Sequence, residues 1–222
     1  EDADLAKAVE SLVDGACFNS GQSCCGIERI YVHRRRFDEF AQRYAELAAQ
    51  YVLGDPTEHG TTLGPMARPA AADFARDQVE EAVAQGARVL SGGNRTGSVV
   101  RPTVLSQVTG TMKVSCQEVF GPLVTITPYR EFDDVLKAVN ESEYGLQAGV
   151  FTSNIGRIFQ AFEQLEVGAV LANEIPTFRA DHMPYGGVKD SGLGREGVRA
   201  AIEDMTEPRM LIMNRKEPPH PS

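Results

Sequence analysis

Apolar and polar residues follow two different periods along this chain. Apolar side chains recur every three or four positions between Leu5 and Val13, which predicts an amphipathic helix over 5–16. The same spacing predicts further helices at 37–52, 69–86, 131–142, 155–165 and 195–205, with Gly86 as the C-cap of the second of these.

Short apolar runs between the helices predict strands. These runs lie at 29–32, 87–93, 123–129, 147–153, 168–174 and 208–214. Strands that alternate with helices of 10 to 12 residues indicate right-handed crossover units. The predicted fold class is therefore α/β, with a mainly parallel central sheet and flanking helices.

The length of 222 residues is enough for one sizeable core or two small domains. We expect residues 1–207 to form one α/β domain. The apolar run at 208–214 is then a terminal strand and a candidate to pair with another chain, which would make a homo-oligomer. The last residues, 215–222, are rich in proline and are expected to be a disordered tail.

Composition argues against several partners. The net charge of −9 disfavours a nucleic acid, and no apolar run reaches the roughly 18 to 20 residues that span a bilayer. The first ten residues are acidic and do not resemble a secretion signal. Because adjacent cysteines such as Cys24 and Cys25 rarely form a structural disulfide, a reducing cytoplasm is the expected location. The four histidines are far apart in sequence, and the cysteines form no C-x-x-C pair, so no metal site is expected.

The stretch "GQSCCGIER", 21–29, contains the strongest candidate for chemistry. A buried cysteine is usually a small hydrophobic residue, which is the expected role of Cys17 in the first helix. Cys24 follows a glycine at a helix-to-strand junction, where inward-pointing N–H groups can activate a thiol and stabilise an oxyanion. From the residues alone, Cys24 and Cys25 both remain open, either as nucleophile or as structural residue.

A second motif, "GLGREG" at 192–197, formally matches the dinucleotide-binding pattern G-x-G-x-x-G. That pattern needs a strand before it and a βαβ unit around it, whereas here a turn-rich segment precedes it. A glycine loop that leads into a helix is the favoured interpretation over a phosphate cradle.

Three stretches together resemble the NAD(P)-dependent aldehyde dehydrogenase superfamily. "GQSCCGIER" is similar to the family's active-site loop, "QEVFGPLVTI" (117–126) to its E-x-F-G-P segment, and "MPYGGVKDSGLGREG" (183–197) to its P-[FY]-G-G-x-K-x-S-G-x-G-R-E segment. The three occur in the family's order, and the resemblance extends from residue 1 to about residue 214.

The resemblance implies roles for individual residues. Cys24 matches the nucleophile, and its backbone N–H would form part of the oxyanion hole. Glu118 matches the carboxylate that binds the nicotinamide ribose, and Phe120 the aromatic residue beside the nicotinamide ring. Without the family, a surface charge and a core anchor would be the ordinary interpretations of these two residues. The cofactor implied is NAD or NADP, and the implied partner is a small-molecule aldehyde.

The segment 173–187 resembles the loop that lines the family's substrate tunnel. Arg179 and His182 are the candidates there for contact with an anionic or phosphorylated aldehyde, since a guanidinium favours forked contacts with such groups. A surface ion pair is the alternative for Arg179.

Much of the family's pattern is not found here. The Gly-rich coenzyme-binding domain, the general base of the E-L-G-G segment and the oxyanion-hole asparagine are missing, and 1–10 resembles sequence just after E-L-G-G. We therefore expect the catalytic-cysteine domain of an aldehyde dehydrogenase without its N-terminal coenzyme-binding domain, inactive as an isolated chain. The alternative is a self-standing inactive module for oligomerisation or binding.

Overall fold

The computed structural model describes residues 1–214. The helices are α1 (Leu5–Cys17), α2 (Phe37–Ala48), α3 (Pro69–Ala84), α4 (Lys113–Cys116), α5 (Phe132–Asn140), α6 (Ile155–Gln164) and α7 (Val198–Met205). The strands are β1 (Arg29–His33), β2 (Arg88–Ser91), β3 (Arg95–Thr96), β4 (Val99–Val100), β5 (Thr103–Ser106), β6 (Leu123–Tyr129), β7 (Tyr144–Gly145), β8 (Gln147–Val150), β9 (Ala169–Ala172) and β10 (Val188–Lys189). No helix of this part of the chain is long and apolar enough to cross a lipid bilayer.

The main sheet has four strands in the order β1-β6-β5-β2. β6 lies parallel to both β1 and β5, and β2 pairs antiparallel with β5. β8 and β9 form a separate parallel pair, whereas β3 with β4 and β7 with β10 form short antiparallel pairs. The prediction of an α/β fold with a mainly parallel central sheet is confirmed.

Helices α1 and α2 cover one face of this sheet. The Asp4 carboxylate caps α1 by accepting the N–H of Lys7 at 3.1 Å, and Val13 is buried in the core cluster that also contains Ile126 of β6. Tyr44 of α2 is buried, and its hydroxyl donates to the Leu12 carbonyl at 3.2 Å. The apolar faces read from the sequence are therefore the ones that build the core.

Two predicted helix ends differ from the structure in different ways. The helix predicted over 37–52 ends earlier, at Ala48. The helix predicted over 69–86 ends at Ala84, and Gly86 then adopts a left-handed φ of 103° while the N–H of Ala87 donates to the Ala82 carbonyl at 2.9 Å. The C-cap is therefore Gln85 rather than the predicted Gly86, which follows it in the left-handed conformation that is common just after a helix.

The terminal strand predicted at 208–214 is not formed within the described chain. These residues belong to no strand, and the side chains of Met210, Leu211, Ile212 and Met213 are exposed. A strand requires a hydrogen-bonded neighbour, and within residues 1–214 no sheet edge pairs with this segment. Its pairing with another chain stays a prediction, and the predicted tail at 215–222 lies outside the described residues.

The first two residues join the ends of two strands. Glu1 pairs with Arg35, just after β1, at 2.6 Å. The Asp2 carboxylate accepts the hydroxyl groups of Thr152 and Ser153, just after β8, both at 2.8 Å. Although burial acts to raise it, these hydrogen bonds hold the pKa of Asp2 well below its usual range. The amino end of the described chain is therefore fixed between β1 and β8.

Candidate active site

Cys24 lies on a tight turn between α1 and β1. Asn19, Ser20 and Gly21 have successive left-handed φ angles of 51°, 57° and 73°, so the chain reverses direction sharply after α1. The N–H of Gly26 then donates to the Ser23 carbonyl at 2.9 Å, which places both cysteines within the turn. The Cys24 side chain is exposed and therefore open to a reagent or substrate.

The other cysteines have different surroundings. Cys17 is buried at the end of α1, and burial raises the pKa of its thiol to about 12. The predicted structural role of Cys17 agrees with this position. Cys25 is partly buried, and its sulfur lies 3.3 Å from the hydroxyl oxygen of Ser23. Of the two adjacent cysteines, Cys24 is thus the more accessible.

The cysteine turn packs directly against the backbone of the 117–122 loop. A Cβ atom added at Gly21 would lie 2.1 Å from the carbonyl carbon of Gly121, so only glycine allows this approach. The Ser20 hydroxyl donates to the Gly64 carbonyl at 3.0 Å, and the Gln22 side-chain oxygen accepts the N–H of Ala67 at 2.8 Å. These bonds, with the Gly21–Gly121 packing, hold the turn against the loop that carries Glu118.

Glu28 provides a second connection between the same two segments. Its Oε1 accepts the N–H groups of Val119 and Phe120, at 2.9 and 3.0 Å. Its main-chain carbonyl accepts the N–H of Thr125 at 2.8 Å. Burial raises the pKa of Glu28 to about 7, against the two amide hydrogen bonds, and the nearby charge of Glu118 adds to the increase. Glu28 therefore holds the 117–122 loop against the start of β1.

Glu28→Gln is expected to remove a pH dependence of stability. The folded-state pKa of about 7 lies above the ~4.3 of a free glutamate, so the folded chain binds the extra proton between these values. The free energy of unfolding of the parent chain should consequently fall as pH rises from about 4.5 to 7, and less so in the variant. Urea unfolding at pH 5, 6 and 7 measures how steeply the free energy of unfolding changes with pH in each chain. Equal slopes in the two chains would contradict the assignment to Glu28.

Tyr185 contacts the Cys24 thiol directly. Its hydroxyl oxygen lies 2.8 Å from the Cys24 sulfur, and the residue is buried. Burial, and then the contact with Cys24, raise the pKa of Tyr185 well above its usual range. The phenol therefore keeps its proton near neutral pH and is able to donate it to a thiolate.

The position of Tyr185 is itself fixed by neighbouring residues. Its main chain exchanges two hydrogen bonds with Glu196, at 3.0 and 2.6 Å. The Arg179 guanidinium lies over the Tyr185 ring, 4.6 Å from its centroid, and pairs with the Glu196 carboxylate at 3.2 Å. Arg179 thus contacts the ring of Tyr185, and the hydroxyl of Tyr185 contacts the sulfur of Cys24.

Tyr185→Phe is expected to slow alkylation of Cys24 about tenfold at pH 7, because the thiolate would lose a hydrogen-bond donor worth roughly 1.5 kcal/mol. Iodoacetamide labelling followed by peptide mass spectrometry gives the rate for each cysteine. The rate for exposed Cys116 serves as the internal control. An unchanged Cys24 rate would show that the Tyr185 hydroxyl does not act on the thiolate.

The predicted site residues fall into two regions. Cys24, Cys25 and Glu118 line one cavity of about 350 Å³, which is also lined by Glu28, a residue that the sequence did not single out. Phe120 lies on the same loop as Glu118, with 41% of its surface exposed and a left-handed φ of 53°. The loop therefore presents a carboxylate and an aromatic ring close to the cysteine turn.

The two predicted substrate residues are not together. Arg179 lies over the ring of Tyr185, whose hydroxyl contacts the Cys24 sulfur, and it also forms an exposed ion pair with Glu196, as the alternative interpretation expected. His182 lines a different groove, together with Asp181 and residues of α7. Only Arg179 is thus connected to the cysteine site in this structure.

The "GLGREG" motif does not build a βαβ unit. The glycines at 192, 194 and 197 have left-handed φ angles, and the segment connects the two-residue strand β10 to α7. The main chain of Glu196 is used to bind Tyr185. This agrees with the favoured interpretation of a glycine loop that leads into a helix.

The fold and the site together define an α/β protein with an accessible cysteine in a preformed turn. The chain belongs to the aldehyde dehydrogenase family, whose model matches residues 1–211. It is 44% identical over 214 residues to a 3-sulfolactaldehyde dehydrogenase of Priestia aryabhattai. The aligned region covers 96% of this chain and 45% of that relative. The chain thus spans less than half the length of the curated relatives it matches.

Solved structures of the family have the same fold. Aldehyde dehydrogenase 21 of Physcomitrella patens, in complex with succinate, superposes with a TM-score of 0.92 at 42% identity, over 95% of this chain and 44% of that one. A glyceraldehyde-3-phosphate dehydrogenase of Methanocaldococcus jannaschii, complexed with NADP, superposes with a TM-score of 0.89 at 36% identity. The match covers 92% of this chain and 44% of that one. An aldehyde dehydrogenase of Bacillus cereus in its NAD⁺ complex superposes with a TM-score of 0.90 at 34% identity. The match covers 93% of this chain and 43% of that one. Family members therefore bind NAD or NADP.

Proposed function

We propose that residues 1–207 are the catalytic-cysteine domain of an NAD(P)-dependent aldehyde dehydrogenase that oxidises an aldehyde to a carboxylic acid. The observation that carries this proposal is the exposed Cys24 thiol, which lies 2.8 Å from the Tyr185 hydroxyl at the cavity that Glu118 also lines. Membership of the family supplies the reaction class.

In the proposed reaction Cys24 is the nucleophile. Its thiolate adds to the aldehyde carbon and forms a thiohemiacetal, while Tyr185 remains a donor beside the sulfur. NAD(P)⁺, when bound, would supply the hydride acceptor. Loss of hydride leaves a thioester on Cys24, and attack by water then releases the carboxylic acid and restores the thiol.

The residues present here suit only one end of the coenzyme. We assign the Glu118 carboxylate to the ribose hydroxyls and the Phe120 ring to the nicotinamide face, as acceptor and stacking surface. Glu28 binds the main chain of this loop, and Gly21 of the cysteine turn packs against it. Residues 1–214 contain no Gly-rich turn inside a βαβ unit that could bind the diphosphate. NADH formation by this chain alone should therefore be negligible, since positioning contributes ~7 to 11 kcal/mol to such reactions.

The proposed substrate class is a small aldehyde with an anionic end. Arg179 is the one predicted substrate cation connected to Cys24, and its guanidinium lies over the ring of Tyr185. Two relatives are named for aldehydes of this class, 3-sulfolactaldehyde and sulfoacetaldehyde, whereas three others are named for the uncharged lactaldehyde. His182 lines the other groove, and we assign it no contact with the substrate at Cys24.

Protection of Cys24 from iodoacetamide tests nucleophile and substrate class together. Sulfoacetaldehyde should protect Cys24 at lower concentration than propanal, which lacks the charge. Arg179→Gln should weaken protection by sulfoacetaldehyde about tenfold and leave propanal unchanged. His182→Gln is the matched control and should change neither. Failure of both aldehydes to protect Cys24 would overturn the role of the nucleophile, and equal protection in all variants would overturn the role of Arg179.

A second function, assembly with a further copy, is favoured by one observation. Met210, Leu211, Ile212 and Met213 expose four adjacent apolar side chains. Such a patch marks an interaction surface. Sedimentation velocity over a range of concentrations tests it, and a monomer at every concentration would exclude it.

A further inference from the structure

The Tyr185 hydroxyl is hydrogen-bonded to sulfur alone. It lies 2.8 Å from the Cys24 sulfur and has the Cys25 sulfur as a second neighbour. Within residues 1–214 this hydroxyl makes no hydrogen bond to an oxygen or a nitrogen atom. Because burial raises the pKa of the phenol well above its usual range, the buried hydroxyl remains a donor near neutral pH. The acceptor of this donor is therefore also the atom that reacts.

Addition of an aldehyde to Cys24 takes this acceptor away. The bond between sulfur and C1 forms, an electron pair of the C=O bond moves to the C1 oxygen, and the thiol proton ends on that oxygen. The sulfur then carries two carbon substituents, and a thioether is only a weak acceptor. The Cys25 sulfur is a weak acceptor as well, and it lies 3.3 Å from the Ser23 hydroxyl oxygen. The adduct thus leaves Tyr185 as a buried donor without a good partner, which costs binding free energy.

The C1 oxygen of the adduct has a donor of its own. The main-chain N–H of Cys24 makes no hydrogen bond within residues 1–214, and the resemblance assigns this group to the oxyanion hole. The next substrate atom that can accept a hydrogen bond from Tyr185 is thus a substituent on C2. An oxygen on C2 is separated from the sulfur by two carbon atoms, so it can turn back toward a hydroxyl that already touches this sulfur.

We propose that Tyr185 is a specificity-determining residue that selects aldehydes with a hydroxyl group on C2, by donating a hydrogen bond to that hydroxyl once the aldehyde is bound to Cys24. A site with such a donor rejects the analogue without the hydroxyl, because the donor is then left unpaired. The inference rests on the proposed function, since it needs Cys24 as the nucleophile. It narrows the substrate class to small 2-hydroxy aldehydes, with Arg179 beside Tyr185 for an anionic group at the other end.

The ring of Tyr185 is held independently of its hydroxyl. The Arg179 guanidinium lies 4.6 Å from the ring centroid, and the main chain of Tyr185 exchanges hydrogen bonds of 3.0 and 2.6 Å with Glu196. Because neither contact uses the hydroxyl, Tyr185→Phe removes the donor and keeps its surroundings. Tyr144 is exposed and lines the same cavity as Cys24, so Tyr144→Phe is the matched control.

Protection of Cys24 from iodoacetamide by 2-hydroxypropanal and by propanal tests the proposal. The two aldehydes differ only in the hydroxyl on C2. The measured quantity is the aldehyde concentration that halves each chain's own labelling rate. It is corrected for the affinity of each aldehyde for N-acetylcysteine, which removes differences in electrophilicity. The corrected preference for 2-hydroxypropanal should be about tenfold in the parent and in Tyr144→Phe, and about onefold in Tyr185→Phe.

Three results would overturn the proposal alone. These are a parent without the preference, a preference that persists in Tyr185→Phe, and an equal loss of protection by both aldehydes in that variant, which would assign Tyr185 to the C1 oxygen. Protection by neither aldehyde in the parent would instead overturn the proposed function, and this inference with it.

Should Tyr185→Phe not fold, 3-hydroxypropanal decides the question on the parent chain. Its hydroxyl is one carbon farther from the sulfur than that of 2-hydroxypropanal. Corrected protection equal to that by propanal then supports the proposal, and protection equal to that by 2-hydroxypropanal overturns it.

Discussion

Replacement of Cys24 by serine is expected to reduce covalent acylation of the chain by about a hundredfold or more. Cys24 is the exposed thiol of the turn, and Tyr185 lies 2.8 Å from its sulfur. A serine hydroxyl at this position would need a general base, because it is hardly ionised near neutral pH. Single-turnover reaction with p-nitrophenyl acetate, followed by intact mass, measures the acylation rate.

Cys25→Ser is the matched control for this experiment. Its sulfur is partly buried and contacts the hydroxyl of Ser23, so this variant should keep acylation within about threefold of the parent. Peptide mapping of the acylated parent should place the label on Cys24. A label on Cys25, or a full rate in Cys24→Ser, would show that the wrong cysteine has been assigned.

Gly21→Ala is expected to destabilise the chain by about 4 kcal/mol or more. The new methyl group would lie 2.1 Å from the Gly121 carbonyl carbon and 2.5 Å from the Pro122 nitrogen, both backbone atoms that cannot move aside alone. The left-handed φ of 73° adds ~1 to 2 kcal/mol for a residue with a Cβ atom. Urea unfolding at pH 7 gives the change in the free energy of unfolding.

Gly60→Ala separates the two contributions. Gly60 also has a positive φ, of 95°, but a Cβ atom there would meet nothing within 4 Å. Gly60→Ala should therefore lower the free energy of unfolding by only about 1 to 2 kcal/mol. If Gly21→Ala cost no more than Gly60→Ala, the close packing of the cysteine turn against the 117–122 loop would not contribute to stability.

Strand prediction succeeded at 123–129, where the apolar run finds neighbouring strands on both sides, and failed at 208–214, where it finds none among the described residues. β6 occupies Leu123–Tyr129, the same residues that the sequence predicted. β5, in contrast, has only four residues, Thr103–Ser106, and all four are buried. A buried strand of this length has no polar face and therefore no alternation, so its sequence does not distinguish it from a loop. The central position of β5 became clear only from its pairing with β2 and β6.

The site was predictable where the sequence carries a motif. Cys24 could be chosen from its turn and from the family pattern, and the structure shows it exposed in that turn. Glu28 gave no signal, because its partners are main-chain N–H groups 91 and 92 residues away. Tyr185 stood inside the motif P-[FY]-G-G, yet its contact with Cys24 spans 161 residues and depends on the fold. Local sequence does not encode which distant backbone a side chain will meet.

The last helix has a consequence for how this chain would respond to a protease. None of the side chains of α7 is buried, and Val198, Ile202 and Met205 are exposed. Because tertiary packing rather than propensity stabilises most helices, α7 should open before the core, and trypsin should cleave first beside Arg195 or Arg199. Such a cut would release the main chain of Glu196 from Tyr185. Proteolysis at this exposed helix, with the core intact, should therefore change the reactivity of the Cys24 thiol, which contacts Tyr185.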